Sequence, residues 1–74
     1  MPLVLKGGEF IATEALSAAT LFGLMSLARR QSVLINGLVL QREDFARLAA
    51  EAQQTGLPVW PRLPDKNRVV TCFP

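Results

Sequence analysis

The sequence predicts a small single α+β domain with two helices and the element order β-α-β-β-α-β. The chain has 74 residues, half of them hydrophobic, which suits one small domain and excludes a disordered tail. An Asn-Gly pair separates two short apolar runs, which is a strong local signal for a β-hairpin. Apolar residues recur at helical spacing on both sides of that pair. We assign residues 1–56 to a compact core and residues 57–74 to an extended arm that contains Pro and Trp and could end in a last strand.

The first two elements are a short strand and a long helix. Residues 3–5 form an apolar run that ends before two glycines, which indicates a strand. A helix is predicted over residues 13–30, with Thr13 as its N-cap and with Arg29 and Arg30 in its last turn, where cations are favoured. Its apolar side chains spread over about half of the circumference, so we expect it to be buried on several sides.

A stripe of small residues marks one face of this helix and consists of Ala15, Ala19, Gly23 and Ser26. Small side chains allow a second backbone to approach, as in a dimer, but we favour the simpler interpretation that they fit a tight core. A membrane span over residues 10–28 is the rival for the whole segment. One glutamate, four hydroxyl side chains and a glycine dilute its hydrophobicity, so we do not expect a membrane partner.

Residues 33–40 predict a β-hairpin that turns at Asn36 and Gly37, because both tolerate the positive φ angles of a type I′ turn. Three pairs face each other in this register: Val33 with Leu40, Leu34 with Val39, and Ile35 with Leu38. Both faces of the hairpin are therefore apolar, so either the fold covers both or one is an interaction surface. The alternative is one continuous buried strand with a bulge at Gly37.

A second helix is predicted over residues 42–55, because its apolar residues recur at i, i+3, i+4 and i+7 and Gly56 suits the position after its end. Outward ion pairs are expected to join Arg47 to Glu43 and to Glu51. Prolines then recur at positions 58, 61 and 64, a period that matches polyproline II. Residues 65–67 predict a turn, and residues 68–73 predict a closing strand.

Trp60 and Arg62 are residue types that often anchor interfaces, and both lie in the proline-containing segment. A lone tryptophan in so small a protein more often closes the core, and we expect that role for Trp60. We likewise expect Cys72 to be a small buried hydrophobe and not a nucleophile, because its nearest basic neighbour in the sequence is Arg68.

The composition argues against catalysis. The chain has no histidine and one cysteine, which excludes a His-based triad, an imidazole base and a metal cage of cysteine and histidine ligands. The six acidic residues form no convincing acid–base pair, since the adjacent Glu43 and Asp44 diverge by about 100° on a helix. We therefore expect a non-enzymatic protein without cofactor or metal.

Part of the chain, residues 17–48, carries a helix, an Asn-Gly hairpin and the start of another helix in that order. The motifs are Ser17-Ala18-Ala19-Thr20-Leu21 with Leu24 and Met25, the hairpin, and Gln41-Arg42-Glu43-Asp44-Phe45. In this order and spacing the segment resembles winged-helix proteins of the excisionase and MerR type, with the hairpin in the place of the wing. The resemblance implies DNA binding.

The segment also departs from that pattern. Recognition helices of this type are rich in arginine and polar groups, whereas this helix offers Ala18, Ala19, Phe22 and Gly23, and the hairpin carries no cation. Because phosphate contacts depend on lysine and arginine, any DNA binding would fall to the clustered cations. These are Arg29, Arg30 and Arg42.

The main functional prediction is a small binding or regulatory module that acts through a hydrophobic protein–protein interface. Its apolar content exceeds what so small a core can hide, so we expect a homo-oligomer or another protein partner. The candidate interface residues are Phe22, Met25, Leu34, Val39, Trp60 and Arg62, with Trp60 included as the alternative to its favoured role in the core. The alternative is a winged-helix DNA-binding regulator, which the net charge of +2 permits.

No signal peptide is visible, so we expect a cytoplasmic protein, and the small size is typical of phage or bacterial accessory proteins.

Overall fold

Two extended runs around a pair of glycines form the first hairpin. Strands β1 (Leu3–Lys6) and β2 (Glu9–Ala12) pair antiparallel around Gly7 and Gly8, whose φ angles are +60° and +79°. Glycine adopts such angles without a steric penalty. The computed structural model describes residues 2–63, so the predicted turn at 65–67, the closing strand and Cys72 lie outside the described residues.

Helix α1 spans Ala18–Leu27, and the prediction that it begins after Thr13 is wrong. Its N-cap is Ser17, whose hydroxyl accepts a hydrogen bond from the backbone N–H of Thr20 at 3.3 Å. Strand β2 and the loop that follows it occupy the residues before this cap. The helix also ends earlier than predicted, because Ala28 is its C-cap, so both predicted C-terminal arginines lie beyond the last turn.

Contrary to the sequence prediction, helix α1 is not buried on several sides, because its outward side is exposed. Only Leu21 and Leu24 are buried within the helix. Ala19, Gly23 and Ser26 are exposed, so the interpretation that the small-residue stripe fits a tight core is wrong. The helix therefore presents one narrow face to the core and leaves the rest uncovered by the described chain.

The second hairpin confirms the predicted register. Strands β3 (Val33–Ile35) and β4 (Leu38–Leu40) pair antiparallel through the three predicted residue pairs. Asn36 and Gly37 have φ angles of +50° and +76°, as a type I′ turn requires. The alternative of one continuous strand is therefore wrong.

The two hairpins join into one four-stranded sheet with the order β1-β2-β3-β4. Strands β2 and β3 run parallel, with Phe10 opposite Ile35, and α1 is the crossover between them. Asn36 strengthens the junction, because its N–H donates to the carbonyl of Phe10 at 3.0 Å and its side-chain oxygen accepts from the N–H of Ala12 at 2.9 Å. The observed order begins β-β-α instead of β-α, since β2 was not predicted.

Helix α2 (Arg42–Thr55) matches the prediction and ends at Gly56, whose φ is +72°. At its start, the Asp44 carboxylate accepts a hydrogen bond from the N–H of Gln41 at 2.8 Å, which completes a capping box. The predicted ion pairs are wrong, because Arg47 contacts Asp44 at 3.2 Å and Glu51 pairs with Arg62 instead.

The core lies between the two helices and one face of the sheet, which establishes a small α+β domain. The helices contribute Leu21, Leu24, Phe45 and Leu48, each 2% exposed or less. The strands contribute Ala12, Val33, Ile35 and Leu40. Within residues 2–63, neither helix combines the length and the hydropathy needed to cross a membrane.

Candidate interaction surfaces

Nine large hydrophobic side chains in the described part of the chain are at least 41% exposed. They are Val4, Leu5, Phe22, Leu27, Leu34, Val39, Leu57, Trp60 and Leu63. A single exposed leucine is ordinary on a soluble protein, whereas grouped apolar side chains mark interaction surfaces. These residues and their neighbours form three surfaces, on the sheet, on α1 and on the segment after α2.

The first surface is the outer face of the sheet, where Val4, Ile11, Leu34 and Val39 form an apolar patch and the paired Lys6 and Glu9 add charge at the end next to the Gly7-Gly8 turn. Side chains alternate between the two faces of a strand, so the burial of Val33 places its neighbour Leu34 on the opposite side. Leu34 and Val39 are opposed across β3 and β4, and Val4 is opposite Ile11 across β1 and β2. The second face of the hairpin is therefore apolar and uncovered by the described chain, one of the two outcomes left open by the sequence.

The second surface is a concavity of about 330 Å³ between the C-terminal half of α1 and the start of α2. We call it the arginine groove. It is lined by Phe22, Met25, Ser26, Arg29 and Arg42. It therefore combines two of the predicted interface residues with two of the predicted DNA-contacting arginines, although the sequence predicts different functions for the two sets.

A neighbouring concavity extends the arginine groove past the end of α1. Ser26 and Arg29 line both, and Arg30 joins them in the second. The three cations predicted to cluster thus lie along one continuous surface. On the other side of Arg42, a third concavity includes Glu43, so the positive charge is bounded there by a carboxylate.

The groove arginines have no carboxylate partner among residues 2–63. The ion pairs of that part of the chain join Arg47 to Asp44 and Arg62 to Glu51. The guanidinium groups of Arg29, Arg30 and Arg42 therefore keep their charge-assisted hydrogen bonds available for an anionic ligand.

The third surface includes Trp60, which is 52% exposed and lies outside the core, so the expectation that it closes the core is wrong. Val59 and Pro61 take the inward positions of this extended segment, and alternation turns Trp60 outward. Arg62 fastens the segment to α2, because its side chain pairs with Glu51 and its carbonyl accepts from Arg47 at 3.3 Å. Arg62 thus has a structural partner within the chain.

The hairpin tip, which would be the wing of a winged-helix protein, is attached to the neighbouring strand. The N–H of Gly37 donates to the carboxylate of Glu9, and Asn36 bonds to β2 through its backbone N–H and its side-chain oxygen. A carboxylate at the tip repels phosphate. The tip is also distinct from the arginine groove, which is lined by residues of the helices and of the turn after α1.

Comparison of the chain with protein-family models, with curated proteins and with solved structures gives no significant match. Sequence reasoning had missed Val4 and Ile11 as members of the outer face, because strand β2 was not predicted. After Glu9, strand β2 has an apolar run of only three residues, which is too short to stand out beside the helical pattern predicted to follow it.

Proposed function

We propose that this protein is a small non-enzymatic binding module that self-associates through the outer face of its sheet. The observation that carries the proposal is the exposure of Leu34 and Val39, which are 41% and 59% exposed on the side of the sheet away from the core. A sheet face in contact with water normally carries polar side chains, so an apolar one favours coverage by a partner.

A second copy is the simplest partner for such a face. Two sheets pack face to face at about 10 Å, and a twofold axis lets the same patch serve both protomers. Each apolar side chain that becomes fully buried contributes about 1.5–3 kcal/mol, so four partly exposed residues per protomer give a modest total. Stable interfaces bury about 800 Å² per partner, more than this patch offers, so we expect a dimer that dissociates on dilution.

Sedimentation velocity of the full chain from about 1 to about 300 μM tests the proposal, because mass action populates the dimer at high concentration. The wild-type protein should shift from monomer to dimer over this range. Val39→Glu should remain monomeric, while Leu57→Glu, which adds the same charge at an exposed residue outside the sheet, should dimerise as the wild type does. A wild-type chain that stays monomeric at every concentration would refute self-association.

DNA binding is the second candidate function, supported by the position of Arg29 and Arg42 in one groove. Counterion release would make such binding fall steeply with salt. The exposed α1 residues next to these arginines, Phe22 and Leu27, are apolar and donate no hydrogen bonds to phosphate. The test is binding to duplex DNA. A wild-type affinity that falls steeply with salt, together with loss of binding in the double variant Arg29→Ala, Arg30→Ala, would support this function.

A further inference from the structure

We infer that the arginine groove binds an acidic amphipathic helix of another protein. The groove lies on the helical side of the domain, away from the outer face of the sheet. The inference therefore goes beyond the proposed self-association, and either can hold without the other.

The apolar part of the groove accepts an apolar side chain from a partner. Phe22 and Met25 are one turn apart on α1 and both line the concavity. Phe22 is 43% exposed, so its ring has free surface, and Met25 packs partly against the core. An aromatic ring beside a flexible thioether adapts to the branched or aromatic side chains that anchor amphipathic helices in grooves.

The charged part of the groove requires a negative partner. Arg29 and Arg42 line the concavity with Phe22, and neither has a carboxylate partner in residues 2–63. A guanidinium group binds a carboxylate through two parallel hydrogen bonds, a geometry that lysine does not offer. Arg30 lines the adjoining concavity and adds a third guanidinium group to this positively charged surface.

The combination favours a peptide over nucleic acid. A DNA backbone would place its phosphates against the exposed side chains of Phe22 and Leu27. Neither side chain can donate a hydrogen bond to a phosphate, so these two residues would not favour DNA binding. The start of α2 does not offer an alternative phosphate site, because the carboxylates of Glu43 and Asp44 lie in its first turn and repel phosphate. A helix with apolar residues at i, i+3 and i+4 and glutamates beside them satisfies both halves of the groove at once.

The test uses a fluorescein-labelled peptide of about 15 residues, with leucines at helical spacing and glutamates at the flanking positions. Fluorescence anisotropy with the full chain should show saturable binding. A matched peptide with every glutamate replaced by glutamine should bind at least about tenfold more weakly, because it leaves the arginines unpaired.

Variants locate the binding surface. Arg29→Glu and Phe22→Ser should each weaken binding about tenfold or more, since one removes charge and the other removes apolar contact. Lys6→Glu is the matched control: it makes the same charge change on β1, and it should bind the peptide as the wild type does. Val39→Glu should also bind normally, which separates this inference from self-association.

Three results would overturn the inference. One is the absence of saturable binding by the glutamate peptide in a protein whose circular dichroism shows it to be folded. Another is an equal loss in Arg29→Glu and Lys6→Glu, which would reveal nonspecific attraction. The third is tighter binding of a duplex of about 20 base pairs that is lost in Arg29→Glu, which would assign the groove to nucleic acid.

Discussion

Leu16 and Val59 form an antiparallel bridge with two backbone hydrogen bonds, of 2.7 and 2.9 Å between nitrogen and oxygen. The bridge joins the entrance of α1 to the segment after α2, across 43 positions of sequence. Both side chains are buried, at 0% and 8% exposure. The bridge explains why the chain before Ser17 is extended. The backbone groups of Leu16 that would form hydrogen bonds in a longer helix bond to Val59 instead.

The first prediction concerns this bridge. Val59→Ala should lower the free energy of unfolding by about 1–2.5 kcal/mol, because it removes two buried methyl groups and leaves a cavity. Urea unfolding followed by circular dichroism measures the change. Leu57→Ala is the control, since that side chain is 65% exposed and should change the stability by less than about 0.5 kcal/mol. Equal effects of the two substitutions would show that the segment does not pack on the core.

The second prediction concerns the start of α1. Ser17→Ala should destabilise the protein by about 1 kcal/mol, because the backbone N–H of Thr20 loses its side-chain acceptor. Ser26→Ala, an exposed position within the same helix, should have no destabilising effect, because alanine has the higher helix propensity. Thermal unfolding of both variants gives the comparison. If Ser17→Ala is neutral, the cap does not stabilise this helix.

The third prediction separates two roles of Asn36. The residue adopts a φ of +50° and its side chain accepts a hydrogen bond from Ala12. Asn36→Gly keeps the backbone freedom and removes only the acceptor, so it should cost about 1 kcal/mol. Asn36→Ala loses both the acceptor and the tolerance of a positive φ, so it should cost about 1 kcal/mol more. Residues other than Gly, Asn and Asp are disfavoured in this left-handed conformation. Equal stability of the two variants in urea would show that backbone strain has no part in the effect.

The elements that were predictable depend on local signals. The Asn-Gly turn determines its own φ angles, and α2 carries its apolar stripe, its first-turn acids and its terminal Gly56 within one segment. The register of β3 and β4 follows from that turn, so it too could be derived without knowledge of the rest of the chain.

Most of the features that were missed depend on contacts distant in sequence. Strand β2 is the exception in part, because it pairs locally with β1 across the Gly7-Gly8 turn, whereas its pairing with Ile35 and Asn36 spans 24 or more positions. The outward position of Trp60 follows from the bridge of Val59 to Leu16. The arginine groove forms because α1 and α2 pack side by side, which brings Arg42 to Phe22 and Met25. Periodicity within one segment contains none of these relationships.

The fourth prediction links the outer face of the sheet to stability. A dimer that only the folded chain can form stabilises that state by mass action, so the melting temperature of the wild type should rise with protein concentration. The double variant Leu34→Thr, Val39→Thr removes apolar surface and keeps strand propensity. Its melting temperature should therefore not vary with concentration. At high dilution, where the wild type is monomeric, the two proteins should melt within a few degrees of each other, because both side chains are then exposed to water.

Leu57→Thr serves as the control for this double variant, since it removes exposed apolar surface at a residue outside the sheet. It should retain the concentration dependence of the wild type. If the wild-type melting temperature is independent of concentration, no copy of the chain covers Leu34 and Val39, and self-association through this face is wrong. If Leu57→Thr abolishes the dependence as well, the copies associate through general hydrophobicity and not through the outer face, because a specific interface responds only to the residues that it buries.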